Sequence, residues 1–212
     1  MEESFRLPAD PGFRLIETFR WTRAGGIRHG AEHIARFRHS AAALGLDPSG
    51  AEAELDRLTG EGPLRVRLTL DARGQAEISV QSFEILPPDT VWRVGLAEER
   101  LRACDPWLRH KTTCRGAYDA ARAALPPHLD EAILLNEAGQ VCDGTITTVF
   151  ADLGDGLLTP PLRCGLLPGV LRERLLAAAK VREAVLTPDD LHRATRLFVG
   201  NSLRGLIQAE MA

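Results

Sequence analysis

Two segments with alternating apolar and polar residues constrain the fold most strongly. Residues 64–70 carry an apolar side chain at every second position, and residues 76–83 follow after a short turn at Asp71-Ala72-Arg73-Gly74. Alternation with a period of two is typical of strands that bury one face, and a short turn joins antiparallel neighbours. The sequence therefore predicts a β-hairpin in the first half of the chain.

Helical and strand patterns are mixed along the rest of the chain. Apolar residues at helical spacing predict helices at residues 32–44, 51–58, 116–124 and 169–180, with a short helical turn at 188–191. Strands are expected at residues 13–21, 91–95, 131–136, 140–142, 146–152, 197–199 and 206–208, and near Val185. No regular βαβ rhythm connects these elements. We therefore expect an α+β or irregular α/β fold rather than a doubly wound sheet.

The segment Leu86-Pro87-Pro88-Asp89 is the clearest candidate linker. Proline-rich segments of this kind often connect independently packed regions. We expect it to separate a small N-terminal lobe, residues 1–86, from a larger C-terminal lobe, residues 90–212.

Charge and cysteine content exclude several classes of function. The net charge of −3 comes from 26 basic and 29 acidic residues that are mixed throughout, so no basic face is available for nucleic acid or a membrane surface. The four cysteines have no C-x-x-C spacing, which argues against a zinc site or a disulfide framework. No apolar run could span a membrane, and the N-terminus lacks the pattern of a secretory signal. We expect a cytoplasmic protein that binds a small molecule and no metal.

Lysine is very rare in this chain. Only Lys111 and Lys180 are lysines among the 26 basic residues, and the others are arginines. Arginine cannot lose its proton to become a nucleophile, so a lysine that is kept in such a background is a candidate for covalent chemistry. Lys180 has a simpler explanation as the cation at the end of a helix. Lys111 follows Arg109 and His110, and it is either part of a solvated loop or a reactive amine.

Two glycine-containing segments could bind an anion. Residues 165–169 run directly into a helical pattern, so the amides of Val170 and Leu171 would lie at a helix N-terminus, where anions are stabilised. An ordinary capping turn would have the same sequence. The loop at residues 200–205 offers Asn201, Ser202 and Arg204 between two apolar strands, although a plain hairpin loop would use the same residue types.

Six segments in order along the chain carry a family resemblance. They read ETFRW, HIARFRHSA, RHKTTCRGAYDAAR, LNEAGQVCDGTITTVF, TPPLRCGLLPGVLR and NSLRG, and together they cover about residues 15–205. This series resembles the class IV pyridoxal phosphate enzymes, which include branched-chain and D-amino acid aminotransferases and aminodeoxychorismate lyase. The resemblance implies a D-amino acid aminotransferase-like fold, with a small α+β N-terminal lobe and a larger C-terminal lobe that has a barrel-like sheet.

The resemblance also implies roles for individual residues. Lys111 matches the lysine that forms a Schiff base with pyridoxal 5′-phosphate and moves the proton at the substrate α-carbon. Arg36 matches the arginine that binds the cofactor phosphate, a task suited to a planar fork of donors. Asp143 matches the carboxylate that pairs with the pyridine nitrogen, where relatives usually have glutamate. The remaining phosphate-binding positions match Val170, Leu171, Ser202 and Asn201, and Leu171 replaces a usual threonine.

The resemblance leaves the reaction open between two paths. Our first expectation is aminodeoxychorismate lyase of the folate pathway, which converts 4-amino-4-deoxychorismate to 4-aminobenzoate and pyruvate, because the compact chain, the NSLRG loop and the segment after Lys111 resemble that branch. The alternative is an aminotransferase for branched-chain, D- or other small amino acids, and a non-catalytic small-molecule binder comes third. Substrate carboxylates need cations, for which Arg204 and Arg115 are the main candidates. Relatives are homodimers, so a homodimer is expected.

Overall fold

The computed structural model describes residues 7–212, which form two compact units. The first unit contains the described residues up to Ile85 together with His110–Cys114. The second contains Leu86–Arg109 and Arg115–Ala212. The segment around Lys111 is therefore part of the first unit, although the chain has already entered the second unit at Leu86.

The first unit is an antiparallel sheet with two helices. Its strands are β1 (Arg14–Thr22), β2 (Gly26–Ile27), β3 (Leu64–Asp71) and β4 (Ala76–Ser82), in the order β2-β1-β3-β4, and its helices are α1 (Gly30–Ala43) and α2 (Ser49–Leu55). The hairpin predicted from alternation is confirmed, since β3 and β4 pair from Leu64↔Ser82 to Leu70↔Ala76. The apolar face of β3 is fully buried, as its alternating pattern requires.

The core of the first unit lies between this sheet and α1. Phe19 on β1, Val66 on β3, and Phe37 and Ala41 on α1 are each no more than 1% exposed. Burial of a large apolar side chain contributes about 1.5–3 kcal/mol. The first strand and the first helix are thereby fixed in the places where sequence periodicity predicted them.

The second unit is a mixed sheet with three helices. The strands are β5 (Val91–Leu101), β6 (Glu131–Asn136), β7 (Val141–Gly144), β8 (Thr148–Asp152), β9 (Leu157–Thr159), β10 (Val181–Glu183), β11 (Arg196–Asn201) and β12 (Gly205–Met211). The helices are α3 (Gly116–Ala123), α4 (Val170–Ala177) and α5 (Pro188–Arg193). The strand order is β10-β9-β8-β11-β12-β5-β6-β7, which forms a half-barrel. The α+β class and the barrel-like sheet predicted from the sequence are confirmed.

The sheet of the second unit buries apolar residues on both faces. Along β6, Ile133 and Leu135 join one apolar cluster, while Ala132 and Leu134 join another. Successive side chains of a strand point to opposite faces, so one strand supports both clusters. The charged residue at its start, Glu131, is also fully buried.

Several elements differ from the sequence predictions: α2 and β12 have other bounds than predicted, and strands β2 and β9 were not predicted. Helix α4 ends at Ala177, because Ala179 adopts a positive φ of 52° and the chain turns directly into β10. Lys180 therefore lies beyond the helix rather than in its last turn. The strand expected near Val185 lies at β10 instead, and β5 extends to Leu101. Among residues 7–212, no helix is long and apolar enough to cross a membrane.

Candidate active site

The segment that carries Lys111 adds to the edge of β1 in the first unit. The carbonyl of Lys111 accepts a hydrogen bond from the amide of Ile16 at 2.8 Å, and Leu15 forms an antiparallel bridge with Thr112. The amide of Thr113 donates to the carbonyl of Arg14 at 2.9 Å. These are backbone contacts, so β1 fixes the position of Lys111 without using its amine.

His110 joins the same segment to helix α1. Its Nδ1 lies 3.0 Å from the hydroxyl of Ser40, and both residues are buried. The ring of His39 stacks on that of His110 with 6.2 Å between centroids. Burial and the neighbouring His39 lower the pKa of His110, which favours a neutral ring at physiological pH. The residue before Lys111 is therefore anchored to α1 by an uncharged contact.

Arg36 forms an ion pair with Glu17 of β1. Its Nε and Nη2 donate to the two carboxylate oxygens of Glu17 at 2.8 and 2.7 Å, and Nδ1 of His33 lies 2.7 Å from the same carboxylate. Burial of Glu17 acts to raise its pKa, but the charge of Arg36 and the hydrogen bonds from His33 and Arg36 lower it from 4.5 to about 2. Glu17 is thus a fully buried carboxylate that stays ionised.

Strand β1 therefore contacts two of the predicted site residues. Ile16 holds the backbone of Lys111, and the next residue, Glu17, holds the guanidinium of Arg36. Consecutive residues on one strand position the candidate nucleophile and the candidate phosphate ligand.

Asp143 is a buried carboxyl at the end of β7 in the second unit. The amide of Leu167 and the hydroxyl of Thr148 donate hydrogen bonds to it, while its Oδ1 is buried and has no hydrogen-bond partner among residues 7–212. Burial and the negative charge of Glu131 raise the pKa of Asp143 well above its ordinary value, and the two hydrogen bonds only partly oppose this. Asp143 therefore favours its protonated form, and its Oδ1 is left over for contact with another group.

Glu131 organises the loop that follows Asp143. Its carboxylate accepts hydrogen bonds from the amide and hydroxyl of Thr145, from the amide of Ile146 at 3.1 Å and from the hydroxyl of Thr147 at 2.8 Å. Arg122 lies 3.5 Å from the same carboxylate. An added Cβ at Gly144 would lie 2.9 Å from a Glu131 oxygen, so glycine is needed there. One buried carboxylate thus fixes the whole connection between β7 and β8.

The N-terminus of α4 lies next to the end of that connection. Gly169 caps the helix in an extended conformation, and an added Cβ there would lie 2.9 Å from Oγ1 of Thr148. The first residues of the helix, Val170 and Leu171, are buried. Thr148 therefore contacts the start of α4 and also donates a hydrogen bond to Asp143. It links the backbone amides that are candidates for binding phosphate to the carboxyl that is the candidate partner of the ring nitrogen.

The turn between β11 and β12 contains the NSLRG residues. The side-chain amide of Asn201 donates to the carbonyl of Ile146 at 3.0 Å and its oxygen accepts from the amide of Arg204 at 2.9 Å. Ser202 is buried, and the guanidinium of Arg204 lies 5.7 Å from the centre of the Trp92 ring. The turn is thereby tied to the loop that Glu131 organises.

Arg115 is held by several groups of the second unit. Its Nε donates to Asp119 at 2.8 Å, its Nη2 donates to the carbonyl of Thr145 at 2.6 Å, and its guanidinium lies 5.2 Å from the centre of the Tyr118 ring. Through these contacts Arg115 supports the loop that contains Thr145, and its contact with a substrate carboxylate stays a prediction. Within the second unit, the structure brings Asp143, Val170, Leu171 and the Asn201 turn together around residues 143–148, and Arg115 supports that loop.

Three residues of these surroundings were missed by the sequence analysis. Glu17 and Glu131 are charged residues inside apolar strand patterns, which is a weak sign of a buried ion pair. Tyr118, the only tyrosine of the chain, has a buried hydroxyl without a partner in the described part of the structure. Burial and the charge of Asp143 raise the pKa of Tyr118 well above its ordinary value. No cluster of residues among 7–212 has the composition of a metal site.

Comparison with known proteins identifies the family. The model of the family described as amino-transferase class IV matches residues 14–210. This chain belongs to the class IV aminotransferase family. The chain is therefore a pyridoxal phosphate-dependent transferase or lyase, as the sequence resemblance predicted.

Relatives with names from both branches of the class IV family match this chain. The crystal structure of a protein from Mesorhizobium loti, provisionally named an amino-acid aminotransferase, is 47% identical with a TM-score of 0.91, covering 94% of this chain and 100% of that one. A D-alanine aminotransferase from Bacillus licheniformis is 27% identical over 83% of this chain and 71% of its own length. A Schizosaccharomyces pombe protein, provisionally named an aminodeoxychorismate lyase, is 25% identical over 81% of this chain and 79% of its own length. The match to a Thermotoga maritima protein, provisionally named a branched-chain aminotransferase, covers only 36% of this chain and 30% of that protein.

The described residues of this class IV enzyme fit pyridoxal phosphate. Oδ1 of Asp143 is buried and has no hydrogen-bond partner within residues 7–212, so this carboxyl suits a ring nitrogen with which it can share a proton. The helix start at Gly169 and the guanidinium of Arg36 are both of the chemical type that binds phosphate.

Proposed function

We propose that this chain is a pyridoxal phosphate-dependent aminotransferase that moves an amino group from a small amino acid to a 2-oxo acid. The observation that carries the proposal is the pair of contacts on β1, where Ile16 holds the backbone of Lys111 and Glu17 holds Arg36. The aminotransferase path is supported over the lyase path by the Mesorhizobium loti relative, which is 47% identical over its full length. The first expectation from the sequence therefore becomes the second candidate.

The chain's own residues have distinct tasks in this proposal. Lys111 would bind the cofactor aldehyde through its amine and would move the proton at the substrate α-carbon. In the first unit, Arg36 would bind the phosphate through its guanidinium. In the second unit, the amides of Val170 and Leu171 at the start of α4 are the anion-binding groups. When bound, the pyridoxal ring supplies an electron sink for the negative charge that develops at the α-carbon.

Asp143 holds a proton at the ring nitrogen. Its carboxyl favours the protonated form in a buried site, so it can donate this proton to a basic ring nitrogen and remain as the paired carboxylate. Thr148 and Leu167 hold the carboxyl in place for this contact. By this contact Asp143 would act on the rate of proton removal at the α-carbon.

Aminodeoxychorismate lyase remains a second candidate because of the NSLRG turn. Its Arg204 is oriented by the ring of Trp92, and a cation at this turn suits a substrate with two carboxylates. The lyase path shares the proton removal by Lys111 and then expels pyruvate instead of moving an amino group.

Two assays on the purified protein separate these candidates. The first incubates the cofactor-loaded protein with single L- and D-amino acids and 2-oxoglutarate, and measures glutamate. The second supplies enzymatically generated aminodeoxychorismate and follows the fluorescence of 4-aminobenzoate. Glutamate formation with at least one amino acid is the expected result, and activity in the second assay alone would replace the proposal by the lyase.

We also propose that this chain forms a homodimer, as expected from the family resemblance. Light scattering on a size-exclusion column would test this, with a mass near twice that of the 23.2 kDa chain as the expected result. A single-chain mass at micromolar concentration would contradict it.

A further inference from the structure

The pair formed by Glu17 and Arg36 has properties that a simple stabilising ion pair does not need. The Glu17 side chain is 1% exposed and that of Arg36 is 12% exposed. Compared with apolar side chains in the same place, a buried ion pair adds little stability, because the loss of hydration offsets the attraction between the charges. The geometry of the pair is therefore a better guide to its role than its energy.

Glu17 fixes the orientation of the Arg36 guanidinium. Two parallel hydrogen bonds, from Nε and Nη2, hold one edge of the planar group against the carboxylate. Because the guanidinium is rigid and planar, fixing this edge also fixes the direction of Nη1. An arginine held in this way loses little rotational freedom when it binds an anion.

His33 fixes the carboxylate in turn. Its Nδ1 lies 2.7 Å from Oε2 of Glu17, and its ring is 1% exposed and packs on Phe19 with 5.6 Å between centroids. Since Glu17 is ionised, the shared proton belongs to Nδ1 of His33. His33 and Arg36 are three residues apart on α1, so one face of the helix presents both donors to the same carboxylate.

We infer that Glu17, held by His33, is a positioning residue that orients Arg36 for the cofactor phosphate and makes cofactor binding selective for the phosphorylated aldehyde. This inference rests on the proposed function, in which Arg36 binds that phosphate. It assigns Glu17 no contact with the substrate or with the reacting atoms. Its effect is on affinity for the phosphate group and not on the proton transfer by Lys111.

The chain offers a matched control on the same helix. Arg38 makes a pair of hydrogen bonds to Glu52 with the same atoms, at 2.6 and 2.5 Å, but its side chain is 60% exposed. Glu52→Gln removes a bidentate carboxylate partner of an α1 arginine without touching the buried pair. It controls for loss of an ion pair and for general effects on the helix.

The experiment compares two aldehydes that differ only at the phosphate. Pyridoxal phosphate and pyridoxal, which has a hydroxyl in place of the phosphate, are titrated into cofactor-free full-length protein, and the visible absorbance of the adduct with Lys111 gives each affinity. Glu17→Gln should lower the affinity for pyridoxal phosphate by about tenfold, as expected for a weakened charged hydrogen bond, and change that for pyridoxal by less than about twofold. Glu52→Gln should change neither affinity.

Each outcome of the titration has one meaning. Equal losses for both aldehydes, or no loss for either, would show that Glu17 has only a structural role and overturn the inference. If Glu17→Gln does not fold, Glu17→Asp is used instead, which keeps the negative charge but moves it one methylene further from Arg36. The affinities of that variant for pyridoxal phosphate and for pyridoxal are then compared with those of the wild type by the same criterion. Arg36→Gln should reduce the preference for pyridoxal phosphate at least as much. A wild-type protein that binds neither aldehyde would instead overturn the proposed function and this inference with it.

Discussion

The backbone carbonyl of Lys111 accepts a hydrogen bond from the amide of Ile16 at 2.8 Å. This contact places the lysine at the edge of the strand whose next residue, Glu17, binds Arg36. The position of Lys111 thus depends on backbone pairing, whereas the position of Arg36 depends on a side-chain ion pair. Substitutions can therefore change the chemistry of Lys111 without disturbing its place in the fold.

Replacement of Lys111 by arginine should abolish covalent cofactor binding and leave the fold intact. Arginine keeps the positive charge and the backbone bond to Ile16, but it cannot form an imine. Activity should fall by about 10³-fold or more, since the variant also loses the group that moves the α-proton. Borohydride reduction followed by mass spectrometry should find the cofactor adduct on the wild type and none on the variant.

The other lysine of the chain provides the control for this prediction. Lys180 lies just after α4, and Lys180→Arg should keep the adduct, the activity and the melting temperature. An adduct that disappears with Lys180→Arg and persists in Lys111→Arg would show that the wrong lysine has been assigned.

Replacement of Asp143 by asparagine should stabilise the cofactor-free protein while it reduces activity. The pKa of Asp143 is higher in the folded protein than in the unfolded chain. As pH rises above the unfolded-state pKa, the free energy of unfolding therefore decreases, because only the unfolded chain releases this proton easily. A neutral amide at this position avoids the loss. An increase of about 2–4 °C in Tm at pH 7 corresponds to roughly 1 kcal/mol for a chain of this size. Activity should fall by at least about 10²-fold, because the amide cannot donate a proton to the ring nitrogen and stay behind as its anion.

Asp152 is the matched control because its pKa shifts in the opposite direction. Hydrogen bonds from Arg196 and from the amide of Gly154 lower the pKa of Asp152. Asp152→Asn should therefore lower the Tm at pH 7 and leave the cofactor spectrum unchanged. Equal changes in Tm for the two variants would contradict the assignment of Asp143 as a protonated carboxyl.

Local sequence periodicity predicted most elements of the fold but not their long-range attachments. The alternation in β3 and the helical spacing in α1 are properties of short segments, and both elements lie where the sequence placed them. The pairing of residues 111–113 with β1 joins segments about a hundred residues apart, and neither segment carries a local signal for the other. The end of α4 was missed because alanines favour helix, while the path into β10 requires a positive φ at Ala179.

The candidate site was predictable where its residues are chemically unusual. Lys111 stood out because lysine is almost absent, and Arg36 and Asp143 followed from the family resemblance. Glu131 and Glu17 were missed, since their role depends on partners that only folding brings near. The choice between aminotransferase and lyase was also beyond the sequence alone, because both paths begin with the same proton removal.

Replacement of Glu131 by glutamine should destabilise the protein through the loop between β7 and β8. Glutamine offers one acceptor oxygen and places an NH₂ group against donors that the carboxylate now satisfies, such as the Thr145 amide and the Thr147 hydroxyl. A loss of about 3 kcal/mol is expected, which lowers Tm by roughly 6–12 °C. Glu137→Gln, at an exposed carboxylate that accepts from the Ala103 amide, should lower Tm much less, because water can replace the lost contact. Similar losses for both would contradict the special role of Glu131.

Acid should destabilise the first unit through Glu17. Its pKa is about 2 in the folded protein and near 4.5 when unfolded, so its stabilising effect is fully present above pH 4.5 and is lost as pH falls towards 2. The difference between these two pKa values corresponds to about 3 kcal/mol of folding free energy. This stability is lost when the carboxylate takes up a proton and releases Arg36 and His33. Urea unfolding followed by tryptophan fluorescence should show a free energy of unfolding that declines between pH 4.5 and 2. Glu17→Gln should be less stable at pH 7 and lose the part of this decline that Glu17 contributes, while other carboxylates with a lowered pKa, such as Asp152, keep theirs. Glu52→Gln, at an exposed ion pair, should lose less of the decline than Glu17→Gln. A decline of the same size in Glu17→Gln as in the wild type would assign acid sensitivity to the other carboxylates.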